Sequence, residues 1–323
     1  MGNSQHSTGT DAPIGVLIMA YGTPSSPEQV EAYYTHIRHG HAPTPALLAQ
    51  LQERYRAIGG VSPLFEHTQR QLNGIQAALD AAEPGRYRCI LGMKHTKPFI
   101  EDSVQTLVES GVQHIIGLVL APHYSSMSVG EYMARAQQAT PANVSFTAIK
   151  QWHLEPAYLD FLCMQVKTVK QRLEQEQALT DDDVEVLFTA HSLPTRILKQ
   201  GDPYPEQLKE TATAVATMAK LTHWSIAWQS AGRTSDPWIG PSIEEVLPAL
   251  VQRGRKGFVV CPAGFVSDHL EVLYDLDIET TANAQAQHLA FARTAVPNAD
   301  PAIMAMLAQL IQKQQRKSQP IYA

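Results

Sequence analysis

The feature that most constrains this chain is an alternation that runs along nearly its whole length. Short apolar, β-branched runs are separated by longer segments with helical periodicity. Strands are expected at Ile14 to Ala20, Tyr87 to Leu91, His114 to Ala121 and Ser145 to Ile149. Helices are expected between them, at Ser26 to His36, Pro45 to Ile58, Pro63 to Ala82, Pro98 to Ser110 and Val129 to Gln138. Prolines near the start and glycines at or past the end fit the usual asymmetry of helix termini.

The rhythm restarts after Gln151-Trp152-His153. Strands at Val184 to Ala190, Trp224 to Gln229, Gly257 to Val260 and near His288 to Ala292 alternate with helices at Glu155 to Leu179, Pro205 to Leu221, Ile243 to Arg253 and Asp268 to about Glu279. Strands joined through helices run parallel and are covered on both faces. The expected fold is therefore α/β, with two doubly wound, Rossmann-like domains, each a mainly parallel sheet flanked by helices. The division is a flexible tail over 1–13, an N-terminal domain over 14–150, a C-terminal domain over 151–300, and an amphipathic helix within 301–323 that is free to pack back on either domain, the N-terminal one being preferred. At 323 residues the chain exceeds the size at which one core keeps growing.

Composition removes several classes of function. A net charge of −6 without basic blocks argues against nucleic acid as a partner. The three cysteines, Cys89, Cys163 and Cys261, are too few and too dispersed for a disulfide framework or a four-thiolate iron–sulfur cluster. No apolar run approaches the roughly 20 residues that a bilayer requires. Met1 to Pro13 lacks a signal-peptide pattern. A soluble, cytoplasmic protein with reduced thiols is expected.

In open parallel sheets, ligands bind beyond the carboxyl ends of the strands. Tyr21, Lys94-His95, His123, His191 and the segment from Gln229 to Gly240 all occupy such places. No glycine-rich phosphate fingerprint accompanies them, so a nucleotide cofactor is unsupported. By position alone, His191 is open between a site residue and a hydrogen-bonded structural histidine. Glu271, Asp275 and Glu279 form an acidic row at four-residue spacing. Such a row is either a solvated face or, if buried among Val266, Leu270, Val272, Leu273 and Leu276, a place for a cation or protons. His36, His39 and His41 read as a loose, exposed cluster.

Several ordered blocks then give these residues a common meaning. They include Ala20-Tyr21-Gly22-Thr23-Pro24, Tyr34-Thr35-His36-Ile37-Arg38, Ile58-Gly59-Gly60-Val61-Ser62-Pro63-Leu64 and Thr189-Ala190-His191-Ser192-Leu193-Pro194. Further along come Gly201-Asp202-Pro203-Tyr204-Pro205, Trp228-Gln229-Ser230, Asp236-Pro237-Trp238-Ile239-Gly240-Pro241 and Gly264-Phe265-Val266-Ser267-Asp268-His269-Leu270-Glu271. In these the chain resembles the ferrochelatases, and within them the coproporphyrin III type of Gram-positive bacteria, from about Ile14 to Leu310.

The resemblance implies a chelatase-like fold and insertion of Fe²⁺ into coproporphyrin III, with release of two protons, in heme biosynthesis. It implies His191 and Glu271 as the catalytic, iron-binding pair and Tyr21 as the axial ligand of the porphyrin iron on the opposite face. Arg38, Arg54, Tyr55, Ser62 and Tyr132 would hold the porphyrin and its propionates. Asp275 and Glu279 would form a proton or metal track on a helix with a widened, π-type turn. His39-Gly40-His41 departs from the more basic residues that relatives often carry after Arg38. No cofactor beyond the substrate Fe²⁺ is implied, and no iron–sulfur cluster. A monomer without membrane attachment is expected, with room for a transient contact with a downstream heme-pathway enzyme. A chelatase for another tetrapyrrole or metal, and a porphyrin carrier without catalysis, are the competing readings; a carrier has no use for the acidic row.

Overall fold

The computed structural model describes residues 12–318 except 233 and 235. Most of the expected tail over 1–13, and the end of the chain beyond 318, lie outside the described residues. Two four-stranded sheets organise the rest. In the first, β1 (Ile14–Ala20), β2 (Tyr87–Met93), β3 (His114–Val119) and β4 (Ser145–Ile149) lie in the order β2-β1-β3-β4, all parallel. In the second, β5 (Val184–His191), β6 (Trp224–Gln229), β7 (Gly257–Cys261) and β8 (Ala290–Arg293) repeat that plan as β6-β5-β7-β8. The order of each sheet reverses beside its first strand. That makes the β1/β3 and β5/β7 boundaries the natural ligand crevices.

The helices fill the crossovers. They are α1 (Val30–Ile37), α2 (Pro45–Ala57), α3 (Leu64–Ala82), α4 (Ile100–Glu109) and α5 (Val129–Ala139) in the first half. In the second are α6 (Pro156–Gln177), the short α7 (Arg196–Lys199), α8 (Tyr204–Ala219), α9 (Ile243–Gln252), α10 (Leu270–Leu273) and α11 (Thr281–Ala286). The last described element is α12 (Pro301–Ser318). The strands are apolar on both faces because both faces are covered. Leu17 and Met19 of β1 meet α4 and α5 residues on one side, while Val16 and Ile18 join a second cluster on the other. That second cluster is continuous through α3, α6, α8 and α12 to Val186 and Phe188 of β5, so the inner faces of the two sheets share one core. Helix α12 lies against α3. There, a Cβ on Gly74 would stand 2.7 Å from Met304 Cγ, a separation that only glycine permits.

One expected element is different. In place of a continuous helix from Asp268 to Glu279, the chain forms the single turn α10, a π-helical segment over Asp275–Thr280, and then α11. The Thr280 hydroxyl donates to the Asp275 carbonyl at 2.7 Å, and that of Thr281 to the Leu276 carbonyl at 3.3 Å, both spanning the wide turn. The four-residue spacing of the acidic row is therefore a spacing in sequence, and its side chains do not line one regular α-helical face.

Candidate active site

Both sheets send the ends of their first strands into one cavity of about 690 Å³, within the size range of small-molecule sites. Tyr21 follows β1 directly. The backbone N–H groups of Lys94 and His95 donate to the Ala20 and Tyr21 carbonyls, which carries the β1/β2 pairing past the strand ends and fixes the tyrosine's backbone. Gly22 next to it has φ +89°, and a Cβ there would lie 2.4 Å from Thr96 Oγ1, so the turn requires glycine. The Tyr21 ring is 42% exposed, facing the cavity, with the His95 ring 4.6 Å away. Enclosure by the cleft walls raises its phenol pKa, and the Glu271 carboxylate adds to the effect.

On the other side His191, the last residue of β5, stands with Nε2 3.4 Å from Glu271 Oε1. Its Nδ1–H donates to the Ser192 carbonyl, which leaves Nε2 for the carboxylate and the cavity. The Tyr204 hydroxyl holds the His191 carbonyl at 3.0 Å. The second Glu271 oxygen lies 3.4 Å from His269 Nε2, and His269 Nδ1 donates to the Ser267 carbonyl at 2.9 Å. Burial opposes charge on His191, but the Glu271 carboxylate outweighs it and holds the imidazole at about 9. Burial would likewise raise Glu271; His191 and His269 instead hold it well below the ordinary carboxylate range. Each partner thus favours the charged form of the other, imidazolium on His191 and carboxylate on Glu271.

The loop that carries Glu271 is pinned from the first half. Gln71 of α3, 1% exposed, donates through Nε2 to the carbonyls of Val266 (3.2 Å) and Asn298 (2.9 Å) and accepts from Ser267 Oγ at 3.1 Å. Tyr55, Val30 and Leu270 form a small apolar cluster joining α1 and α2 to α10. Gly264 lets the loop cross β5: a Cβ there would lie 2.5 Å from Ala190 Cβ.

The structure places Tyr21, Arg38, Arg54, Tyr55, Ser62, Tyr132, His191 and Glu271 on the lining of this one cavity. Tyr55 and Tyr132 are buried, and burial raises both phenols, Tyr55 to about 12. Thr23 Oγ1 lies 3.3 Å from the Tyr55 hydroxyl. Ser62 Oγ accepts from the Leu64 N–H at 3.3 Å, so it also serves the start of α3. Arg38 Nε donates to the His41 carbonyl at 3.3 Å. Asp275 lies behind the lining, buried, and Glu279 is half-exposed beyond it.

Arg54 binds Asp275 and approaches Glu279 at 3.6 Å, so a guanidinium screens this acidic row. Ser230 Oγ also donates to Asp275. Burial nevertheless raises the Asp275 carboxyl to about 6, with Glu271 and Glu279 contributing and Arg54 opposing.

Three contributors were not evident in the sequence. His269 and Ser230 lie within the quoted blocks, yet nothing in their spacing assigns them to carboxylates. Gln71 had a signal: with Thr68 it is a polar residue on the buried stripe that continues through Ile75 and Leu79. Lys94 Nζ pairs with Glu131 at 2.8 Å and sits 5.2 Å from the Tyr132 ring centre. His36 is exposed, as expected, but it is not a loose histidine: its Nδ1 lies 3.0 Å from His95 Nδ1. Burial and Lys94 hold His95 at about 3, so it is neutral at ordinary pH.

Two parallel α/β halves closing on a shared cavity define the class: this is the two-lobed chelatase fold. The sirohydrochlorin chelatase SirB from Bacillus subtilis subspecies spizizenii, solved with cobalt, superimposes with a TM-score of 0.56 over 94% of this chain and 96% of that one, at 11% identity. CbiX, described as the terminal enzyme of siroheme biosynthesis in denitrifying bacteria, gives a TM-score of 0.51 over 93% and 98% of the two chains, at 12% identity.

Sequence narrows the class. A family model described as Ferrochelatase matches residues 13–315, and the chain belongs to the ferrochelatase family. It is 41% identical over 304 residues to the coproporphyrin III ferrochelatase of Bacillus pumilus strain SAFR-032, covering 93% of this chain and 96% of that one. It is 42% identical over 308 residues to that of Halalkalibacterium halodurans, covering 94% and 98%.

Proposed function

We propose that this chain is a coproporphyrin III ferrochelatase: Fe²⁺ and coproporphyrin III give Fe-coproporphyrin III and two protons. The observation that carries the residue roles is the His191–Glu271 pair at 3.4 Å on a cavity that Tyr21, from the end of β1, also lines. On this reading the macrocycle lies between the halves with its nitrogens toward the pair. Before metal arrives, the imidazolium and carboxylate neutralise each other. Fe²⁺ replaces the proton between them and is held by His191 Nε2 and Glu271. As iron passes into the ring, the pair is free to accept the two pyrrole protons, one at a time. Asp275, at about 6, is suited to take a proton near neutral pH and pass it to Glu279 and solvent.

Tyr21 approaches the iron from the far face. Arg38, Arg54, Tyr55, Ser62 and Tyr132 supply donors for the propionates, and Arg54 would loosen its hold on Asp275 to do so. The cavity walls hold the ring bent, so that its lone pairs point at the incoming metal. The reading needs no cofactor beyond the substrate Fe²⁺. Among the described residues no helix is long and apolar enough to cross a membrane. The same reading makes the enzyme a cytoplasmic monomer of residues 14–150 and 151–300 with a returning helix, delivering its product to a downstream heme-pathway enzyme.

An anaerobic assay with Fe²⁺ and either coproporphyrin III or protoporphyrin IX, followed by absorbance, tests the proposal. Insertion with preference for coproporphyrin III is expected, and its loss in His191→Ala. Tight porphyrin binding without metallation by the unaltered enzyme would refute the activity, and equal turnover of the two porphyrins would refute the substrate.

A further inference from the structure

The charges around the cavity are unevenly available. Its arginine and lysine lining among the described residues is Arg38, Arg54, Lys94 and Arg196. Arg54 is held by Asp275 and Glu279, and Lys94, nearly buried, by Glu131. Arg38 serves the first half, where its Nε donates to a backbone carbonyl. Among the described residues of the second half, Arg196 alone brings an arginine or lysine to the cavity.

Its mounting is firm. The Ser192 hydroxyl donates to the Ile239 carbonyl at 2.7 Å, the Ile239 N–H to the Leu193 carbonyl at 2.9 Å, and the Thr195 N–H to the Pro237 carbonyl at 2.8 Å. These bonds zip together the loops that follow β5 and β6. Ile197, fully buried, anchors α7 beneath them. Arg196 starts that turn, with Nη1 3.2 Å from Asp236 Oδ2 and both side chains about half exposed, 57% and 50%. That contact engages one N–H of a guanidinium that carries five, and leaves the fork free for a bidentate carboxylate.

We infer that Arg196 is a substrate-selecting residue that binds a propionate of coproporphyrin III from the second half of the molecule, with Asp236 as its resting partner. The inference rests on the proposed function. Coproporphyrin III carries four propionates around its rim, and a ring lying between two halves cannot turn all of them to Arg38 on one wall. Protoporphyrin IX has vinyl groups in place of two of these propionates and so offers fewer anions to the second wall. A planar fork on a zipped loop suits a carboxylate at the cavity rim better than a flexible ammonium does.

The test measures binding of metal-free coproporphyrin III by fluorescence quenching, beside steady-state metallation. Arg196→Ala is expected to raise both Kd and KM for coproporphyrin III roughly tenfold, with kcat and the KM for protoporphyrin IX within about twofold of the unaltered enzyme. Arg196→Lys recovers part of the loss. Asp236→Asn frees the guanidinium and tightens coproporphyrin binding. An Arg196→Ala enzyme that binds coproporphyrin III like the unaltered protein overturns the inference. So does an Asp236→Asn enzyme that weakens binding as Arg196→Ala does, since the pair would then act as a loop clamp. If the unaltered enzyme inserts iron and Arg196→Ala is silent, only this inference falls. If Arg196 governs porphyrin binding but no iron is inserted, the contact stands and the proposed activity falls.

Discussion

At the scale of single residues, the site turns on two imidazoles pushed in opposite directions. His95 and His191 both lose solvent, which disfavours charge on each. His95 has Lys94 beside it and stays neutral; His191 has Glu271 and becomes an imidazolium that titrates at about 9. The sign of the pH dependence follows. The stabilisation from a raised histidine is complete below the unfolded value near 6.5 and is lost as pH rises through about 9. Divalent metal must displace that proton, so its affinity for the pair should climb with pH and level off near 9. Replacing Glu271 by Gln removes the carboxylate and leaves burial as the dominant influence. In Glu271→Gln the His191 ring should titrate below 6.5 by heteronuclear NMR, against about 9 in the unaltered protein. A value that stays near 9 would mean that some other anion holds the imidazolium.

At the scale of elements, the segment from Gly264 to Thr280 is held by contacts that sequence periodicity does not encode. The π-helical turn was expected from family resemblance; hydropathy spacing alone suggested a regular helix. Gln71 could be seen as polar on a buried stripe, but its partners are carbonyls and a hydroxyl on a loop far along the chain. Gln71→Leu keeps the volume, takes one donor from the Val266 and Asn298 carbonyls and removes the acceptor of the Ser267 hydroxyl. It is expected to cost roughly 2–3 kcal/mol of stability in denaturant unfolding, within the usual penalty for unsatisfied buried polar groups, and to lower metallation by loosening Glu271. Gly264→Ala presses a methyl into Ala190, one residue before His191. That overpacking should cost about 1–3 kcal/mol and impair iron insertion more than porphyrin binding. Unchanged stability and activity in Gly264→Ala would show that the β5–loop crossing can relax without disturbing the pair.

At the scale of the whole molecule, strand positions were legible because fully covered parallel strands read as short apolar runs. Strand order was not, because periodicity says which face is buried and nothing about neighbours. The order matters most for function. In both sheets it reverses next to the first strand, and the two reversals meet at the cavity. A ligand there touches α2 and the β1 end on one side and the β5 end and the Glu271 loop on the other. Coproporphyrin III should therefore act as a bridge. At a free concentration one hundred times its Kd, mass action predicts about 2.7 kcal/mol of native-state stabilisation. If the ring spans the halves, hydrogen exchange should slow together in α2, in the turn after β1 and in residues 264–280. Protection confined to one half would show that the porphyrin binds a single wall, and iron could not then be delivered from His191 and Glu271 to a ring held against Tyr21.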